Sequence, residues 1–436
     1  METKKEDLTL LGVKDAVTAL KKGVCSSERL IESCLAKIKS NNGKINGFIH
    51  VETEQATRDA LQSDNRRKNG TLLSPLDGVP LAVKDNIDIL GQPTTNGLGM
   101  HWVPSKDAAI VKLLRNKGMV FLGKTNMHEA ALGATTDNPH YGKCFNPLLE
   151  GHTPGGSSGG SSAVVSGYLC PAALGTDTMG SVRVPAAYCG IVGFKPTKNF
   201  WSTAGVTPLS VTLDTIGPLA RSVSDIAFLS GLNLKNIDVK SCNVASLENF
   251  EYADMEDEIK SGYEETKKLL LNSGVSIGQA RLSDYDPSSA RRAGLLVSEV
   301  EACVLLEDFR LKSQEAFSPE LQTMLDFGRR APASRYFNAI QKIQTLKREL
   351  CSIFQKQKFV ITPTTPQTPF PFSKDTPTNQ ADFTALANFC GCPAISLPLK
   401  RSGVEKPVGL QIMAGPGSDI DLLSFALGIE KLISNN

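Results

Sequence analysis

The sequence predicts an α/β fold in which helices cover a largely parallel, buried β-sheet. From about residue 76, short apolar runs lie between Gly and Pro residues, as in "GVPLAVKD", "YLCPAALGTD" and "GIVGFKP". Helix-like stretches such as "DAAIVKLLRNKG" separate these runs, and strands that alternate with helices favour a parallel sheet. The chain has 436 residues and no evident repeat, so it is long enough for one large unit of this kind.

The first segment, residues 1–75, is predicted to form helices that pack on the remainder. In "SSERLIESCLAKI" (26–38) the apolar residues fall on one helical face behind Ser26, a residue type that caps helix N-termini. The predicted face consists of Leu30, Ile31, Cys34, Leu35 and Ile38.

The other three segments differ in their pattern of apolar, charged, Gly and Pro residues. Residues 76–225 hold the strands bounded by Gly and Pro, whereas residues 226–350 are more helical and more charged, so we expect a core followed by a covering layer. Residues 351–436 return to the sheet texture with a strand at 358–366 and end in a helix at 419–433. We expect residues 1–436 to form a single domain.

Charge and hydropathy restrict the class of partner. The 47 Lys and Arg residues oppose 45 Asp and Glu for a net charge of +2, without a dense basic run, so neither nucleic acid nor a membrane surface is indicated. No stretch of about 18 apolar residues is present, and "METKKEDLTLLG" resembles neither a signal peptide nor a transit peptide. We expect a soluble cytoplasmic protein that binds a small molecule.

The cysteines do not indicate disulfides or a metal site. Ten of them are scattered through a long chain without a secretion signal, where free thiols are usual. The closest pair, Cys390 and Cys392, has the wrong spacing for a zinc knuckle and precedes Pro393, so a turn is favoured. We predict no metal and no other cofactor.

The stretch "GMVFLGKT" (118–125) matches the Walker A pattern, with Gly118, Gly123, Lys124 and Thr125 in register. A phosphate cradle needs loop conformations between the two glycines, so that successive N–H groups converge. Because the four residues between them are apolar, they predict a buried strand, and nucleotide binding is rejected.

The run "GGSSGGSS" (155–162) satisfies the G-x-S-x-G nucleophile pattern twice, on Ser157 and on Ser158. An α/β-hydrolase places its histidine after the serine in chain order, whereas all five histidines here precede the run. A Ser-His-acid triad is therefore disfavoured.

Lys84 offers a different base, because burial lowers the pKa of a lysine and lets it activate a serine. It ends the apolar run "GVPLAVKD" (78–85), and ligands bind at strand ends in sheets of this type. The residues alone leave a second interpretation equally open, in which Lys84 lies on an exposed loop and pairs with Asp85 or Asp88.

A second Ser-Gly loop follows in "GTDTMGSVRVPAA" (175–187). The backbone N–H groups of Thr178, Met179, Gly180 and Ser181 are candidates to converge on an oxyanion. Asp177 and Arg183 are predicted to pair and to hold this loop. The alternative is a tight turn that happens to contain a serine.

Taken together, "AVKDN" around Lys84, "GGSSGGSS" and "GTDTMGSVRVPAAYCG" (175–190) resemble the amidase signature family of Ser-Ser-Lys amide hydrolases. The resemblance extends through "GKTNMHE" (123–129), "GFKPT" (193–197), "LDTIGPLARSVSD" (213–225), "ITPTTP" (361–366), "GCPAISLP" (391–398) and "PVGLQIM" (407–413). It implies one α/β/α fold around a mixed sheet, with the catalytic core in residues 76–225.

The resemblance also implies roles. Ser181 falls on the family nucleophile, Ser157 on the bridging serine and Lys84 on the base, so that an acyl-enzyme forms at Ser181 and water releases the acid. The interpretation favoured for Ser158 is a cap for the helix that begins near Gly159. Met179 stands where family members usually have Gly, and a methionine would be strained there if the position required a positive φ.

The residue patterns of 298–328 and 202–218 are closer to those of small-amide hydrolases within the family. They favour a free-standing amidase that converts a small carboxamide to the acid and ammonia. One alternative within the family is the A subunit of glutamyl-tRNA(Gln) amidotransferase, and a further one is a catalytically silent scaffold. A homodimer is left open.

Overall fold

An eleven-stranded sheet forms the centre of the structure, a computed structural model that describes residues 7–249, 253–283, 285–399 and 406–434. Its strands are β1 (Phe48–Val51), β2 (Pro80–Lys84), β3 (Val120–Thr125), β6 (Ala172–Asp177), β7 (Val192–Lys195), β8 (Thr215–Ala220), β9 (Val244–Leu247), β10 (Ile277–Ala280), β11 (Phe359–Pro363), β12 (Ala394–Leu399) and β13 (Val408–Ala414). Two further strands, β4 (Asp137–Asn138) and β5 (Gly142–Lys143), form a separate hairpin.

The sheet is mixed, in the order β1-β3-β2-β6-β8-β7-β12-β13-β11-β9-β10. The parallel character predicted from the alternation of strands and helices holds for two groups, β3-β2-β6 and β11-β9-β10. Antiparallel ladders join these groups through β8, β7, β12 and β13 and add β1 at one edge. The mixed sheet flanked by helices is therefore confirmed.

The helices are α1 (Val13–Lys21), α2 (Ser27–Ile45), α3 (Thr53–Lys68), α4 (Ala109–Asn116), α5 (Gly159–Ser166), α6 (Arg183–Tyr188), α7 (Val223–Ser230), α8 (Asp257–Asn272), α9 (Pro287–Leu305), α10 (Glu307–Lys312), α11 (Pro319–Arg330), α12 (Ala333–Phe354), α13 (Ala385–Cys390) and α14 (Asp419–Ser434). Across the described residues, none of these helices has the length and apolar character needed to cross a membrane.

The predicted N-terminal helix is confirmed as α2. Ser26 Oγ accepts a hydrogen bond from the N–H of Arg29, and the helix continues past the predicted end to Ile45. Of the predicted apolar face, Leu30, Ile31, Cys34 and Ile38 are buried and Leu35 is half-buried. The apolar spacing therefore identified the face that packs on the remainder of the protein.

The segment 226–350 is not purely a helical covering layer. It holds α8 to α12, as its texture predicted, but it also contributes β9 and β10 to one edge of the sheet. Each of these strands has four residues; β9 has no Gly or Pro beside it, and β10 has Gly274 on its N-terminal side only, so the pattern did not reveal them.

The predicted strand at the Walker-like stretch is confirmed as β3. All six of its residues are buried. Lys124 Nζ lies 3.0 Å from Asp85 Oδ1, and both side chains are buried. Lys124 of β3 therefore forms a buried ion pair with Asp85, the residue that follows β2.

Candidate active site

Lys84 ends β2 and is fully buried, so the interpretation as an exposed loop residue is wrong. Its Nζ lies 2.7 Å from Ser157 Oγ and 2.8 Å from Thr176 Oγ1. Burial lowers the pKa of Lys84 to about 7, although the negative charges of Asp214 and Asp177 oppose this shift. Near neutral pH a large fraction of Lys84 is therefore uncharged and able to accept a proton.

Ser157 is buried in the loop that precedes α5. The peptide bond between Gly156 and Ser157 is cis, and the Ser157 carbonyl accepts a hydrogen bond from the N–H of His128 at 3.1 Å. The next residue, Ser158, donates its N–H to the carbonyl of Ser181 at 3.2 Å. This bond holds the loop that carries Ser157 against the loop that carries Ser181.

The predicted capping role of Ser158 is wrong. Its side chain makes no cap bond to α5; the hydroxyl donates to the Thr176 carbonyl at 3.1 Å and accepts from the Thr176 N–H at 3.3 Å. Thr136 Oγ1 accepts the N–H of Gly159, the first residue of α5, at 3.2 Å. A hydroxyl from another segment thus satisfies the helix terminus, so Ser158 is free to bind β6.

Ser181 lies in the loop between β6 and α6, at the wall of a cavity of about 290 Å³. Thr178, Met179 and Gly180 line the same cavity. None of the N–H groups of residues 178–181 donates a hydrogen bond to a residue that the structure describes. These groups are therefore available to an oxygen bound in the cavity.

In this loop Gly180 has a positive φ, at +141°, and Met179 does not. A Cβ on Gly180 would lie 2.1 Å from Thr384 Oγ1. That hydroxyl donates to the Met179 carbonyl at 2.6 Å and so fixes the loop. The Met179 side chain packs against α9 at Gly294, where a Cβ would lie 2.7 Å from Met179 Sδ. The condition under which Met179 would be strained, a positive φ, is therefore not met.

Asp177 and Arg183 form a fully buried ion pair at the base of the loop. Two guanidinium nitrogens of Arg183 donate to the Asp177 carboxylate at 2.8 and 3.0 Å, and the guanidinium also donates to the side chains of Asn388 and Gln411, each at 2.6 Å. Burial would raise the pKa of Asp177, but the charge of Arg183 outweighs it and keeps the pKa below its ordinary value. The pair holds the start of α6 against β6.

Two further titratable groups surround Lys84. Burial raises the pKa of Asp214 to about 6, and the hydrogen bond donated by the Thr178 hydroxyl at 2.6 Å opposes this rise. Burial, followed by the positive charge of Lys84, lowers the pKa of His128 to about 4. His128 is therefore neutral near pH 7, whereas Asp214 carries a negative charge near Lys84.

The motifs missed several residues that position the site. Thr176 contacts Lys84 and also accepts a hydrogen bond from Asn86 Nδ2 at 3.1 Å; its place inside "GTDTMGS" was a usable signal. Thr384 and Asn388 lie about two hundred residues from the loop they bind. Local sequence patterns contain no information on such distant contacts.

Helices α9 and α11 form a further part of the cavity wall. Arg291, Leu295 and Ser298 of α9 and Met324 of α11 line it. Arg291 Nε donates to Asp382 Oδ1 at 2.7 Å. The cavity is thus lined both by the serine loop and by an arginine among apolar side chains.

The described residues contain no group of three or more His, Cys, Asp and Glu side chains arranged to hold a metal ion. All ten cysteines lie in the described part of the chain, and none of them forms a disulfide. The groups that the site itself presents are the hydroxyls of Ser157 and Ser181, the amine of Lys84 and the N–H groups of the loop.

Comparisons with known proteins bear on the family of this chain. The amidase family profile matches residues 29–423. The chain is 32% identical to the A subunit of glutamyl-tRNA(Gln) amidotransferase from Acidothermus cellulolyticus, over 93% of this chain and 91% of the relative.

Two solved structures are similar over almost their whole length. An amidase is 28% identical with a TM-score of 0.90, over 97% of this chain and all of the other. The A subunit of glutamyl-tRNA(Gln) amidotransferase from Thermotoga maritima is 27% identical with a TM-score of 0.81, over 98% of this chain and 95% of the other. The sequence profile, the relatives and the fold agree, and the chain belongs to the amidase family.

Proposed function

We propose that this protein is a serine amidohydrolase in which Ser181 is the nucleophile, Ser157 relays protons and Lys84 is the base. The contact between the buried Lys84 and Ser157 carries this proposal, because a lysine with a pKa of about 7 is a competent base near neutral pH. The bond from the Ser158 N–H to the Ser181 carbonyl supports it, since it keeps Ser181 beside the relay.

In this mechanism neutral Lys84 takes the hydroxyl proton of Ser157, and Ser157 takes that of Ser181. Ser181 Oγ then attacks the carboxamide carbon, and the N–H groups of residues 178–181 bind the resulting oxyanion, each worth on the order of 3 kcal/mol in other hydrolases. The relay returns a proton to the nitrogen as the C–N bond breaks and ammonia leaves. Water then attacks the acyl-enzyme by the same route and releases the carboxylic acid.

For the substrate, we propose the side-chain carboxamide of glutamine, with the chain acting as the A subunit of a glutamyl-tRNA(Gln) amidotransferase. The names of the relatives favour this assignment over the free-standing amidase that the sequence texture favoured. The cavity supports it as well. Arg291 binds Asp382 through Nε, and its other guanidinium nitrogens have no partner among the described residues, so they suit the α-carboxylate of an amino acid.

A free-standing amidase for a small carboxamide is the second candidate. The similarity to an amidase structure, with a TM-score of 0.90 over the whole of that chain, favours it.

The experiment is an ammonia-release assay on the purified chain with glutamine, simple aliphatic and aryl amides and urea, compared with Ser181→Ala. The assay is repeated after co-expression with the remaining subunits of an amidotransferase, with glutamyl-tRNA(Gln) as acceptor. Glutamine-dependent amidation that requires Ser181 supports the amidotransferase role, and partner-independent hydrolysis of simple amides supports the free-standing enzyme. Failure of a fluorophosphonate probe to label folded protein at Ser181 would contradict both.

A further inference from the structure

Helix α9 separates the active-site cavity from a second cavity of about 610 Å³. One face of the helix, with Arg291, Leu295 and Ser298, lines the active site. An adjacent face lines the second cavity with Ser289, Arg292, Ala293, Leu296 and Glu299. These residues recur at intervals of three and four, as expected for neighbouring stripes on one helix.

The two cavities share a wall made by Leu295 of α9 and Met324 of α11, whose side chains line both. Phe327 of α11 and Ala339 of α12 extend the apolar lining of the second cavity. Its volume and mixed lining are those of a site for a small organic molecule. An occupant would contact two side chains that also border the site of hydrolysis.

Glu299 is the unusual residue in this cavity. Its side chain lines the space, the residue is 6% exposed, and its carboxylate accepts no hydrogen bond from any residue that the structure describes. Burial raises the pKa of Glu299 to about 7, although the positive charge of Arg335 opposes this rise. Neither carboxylate oxygen is among the fully buried polar atoms that lack a partner, so the group opens onto the cavity, where a ligand is able to bind it.

Basic side chains occupy the solvent side of the same cavity. Arg292 and Arg335 are exposed, and Lys342 is half-buried. The Arg335 guanidinium lies 5.0 Å above the Phe327 ring, and Lys342 Nζ donates to Ser289 Oγ at 2.6 Å. The cavity thus presents a carboxylate in its interior and a cluster of positive charge at its mouth.

We propose that this cavity binds the α-ammonium and α-carboxylate of an apolar amino acid, the ammonium at Glu299, the carboxylate at Arg335 and the side chain against the apolar lining. Glu299 and Arg335 are near enough for their charges to interact, which matches the adjacent charges of such a ligand. The aliphatic and aromatic lining matches an apolar side chain. This inference goes beyond the proposed function, because it concerns a second site that takes no part in the acyl-transfer steps.

The test is calorimetric titration of the full chain carrying Ser181→Ala, which removes turnover. The probes are leucine, leucine methyl ester, which lacks the carboxylate, and N-acetyl-leucine, which lacks the ammonium. We expect leucine to bind at least about tenfold more tightly than either derivative, since each lost contact removes one charge-assisted hydrogen bond.

Three variants in the same background locate the site. Glu299→Gln is expected to weaken leucine binding about tenfold, whereas Glu320→Gln, an exposed carboxylate on α11, is expected to leave it unchanged. Ala293→Phe fills the cavity and is expected to abolish binding, so the conclusion does not depend on Glu299 alone.

Binding that survives Glu299→Gln and Ala293→Phe but is lost in Arg291→Ala would place leucine in the active-site cavity and overturn the proposal, while leaving the proposed function intact. Absence of saturable leucine binding would also overturn it.

If binding is confirmed, kinetics of the catalytically active enzyme distinguish a substrate that carries the amino acid from a free amino acid. A higher KM of Glu299→Gln for amides that carry a distal amino acid identifies the end of a substrate. An unchanged KM, together with a response of kcat to free leucine, identifies a separate ligand.

Discussion

Lys84 Nζ lies 2.7 Å from Ser157 Oγ, and both side chains are fully buried. Burial of a lysine without a full counter-charge is unfavourable for stability and is the condition that keeps its amine neutral. The expected proton relay, pH dependence and effect of Lys84 on stability all follow from this contact.

The neighbouring serines provide a matched pair of variants. Ser157→Ala removes the proton relay and is expected to lower kcat about 10³-fold or more, because it separates Lys84 from Ser181. Ser158→Ala removes two hydrogen bonds to Thr176 and is expected to keep kcat within about tenfold of the wild type. The measurement is ammonia release at saturating substrate, with circular dichroism to verify folding. Equal losses in the two variants would contradict the assigned roles.

The activity is expected to rise with pH through the pKa of Lys84, which is about 7. Protonated Lys84 cannot accept a proton, so kcat/KM falls below this pKa and reaches a plateau above it. The negative charge of Asp214 raises the pKa of Lys84, so Asp214→Asn should move the acidic limb to lower pH by about half a unit. A limb that stays in place or moves to higher pH in Asp214→Asn would refute this coupling.

Lys84→Met is expected to abolish activity and to raise the free energy of unfolding by about 1–3 kcal/mol near pH 7. The pKa of Lys84 is lower in the folded protein than its ordinary value of 10.5. Between about pH 7 and 10 the unfolded chain therefore binds more protons, and this group makes stability rise with pH. Urea titrations at pH 6.5 and pH 9 measure the effect. The gain from Lys84→Met should be larger at pH 6.5, and a loss of stability at both values would contradict this expectation.

The oxyanion loop is expected to tolerate a change at Met179 and not at Gly180. Gly180→Ala places a Cβ 2.1 Å from Thr384 Oγ1 at a φ of +141°, so kcat should fall about 10²-fold as the N–H groups move. Met179→Gly retains its N–H and should keep kcat within about threefold. Steady-state kinetics of both variants provide the measurement. A large gain of activity in Met179→Gly would show that the methionine impairs the site.

The buried ion pair is expected to contribute strongly to stability once one partner is removed. Arg183→Met leaves the Asp177 carboxylate buried without its counter-charge and should lower the free energy of unfolding by about 3–5 kcal/mol. Chemical denaturation of the two proteins at pH 7.5 measures the difference. The loss should shrink at low pH, where Asp177 is protonated, and a difference independent of pH would argue against an electrostatic cause.

Much of the framework was predictable from the sequence. Apolar runs bounded by Gly and Pro located β2, β3, β6 and β7, and periodic apolar residues behind Ser26 located α2. The family resemblance assigned the two serines and the lysine before any distance was known. Sequence patterns did not predict β9 and β10, because these strands have only four residues each. They also assigned Ser158 wrongly, because its hydrogen-bond partner lies on β6.

The sequence by itself determined the α/β class, because the class depends on residue type and local spacing, and its resemblance to the amidase signature family indicated the family and the proposed reactive side chains. The tertiary structure alone decided that Lys84 is buried, that Gly180 and not Met179 carries the positive φ, and that Thr384 and Asn388 fix the loop of Ser181. It also placed Glu299 in a cavity behind the active site. Desolvation and long-range hydrogen bonds arise from residues far apart in the chain, so they exist only once the sheet and its helices are assembled.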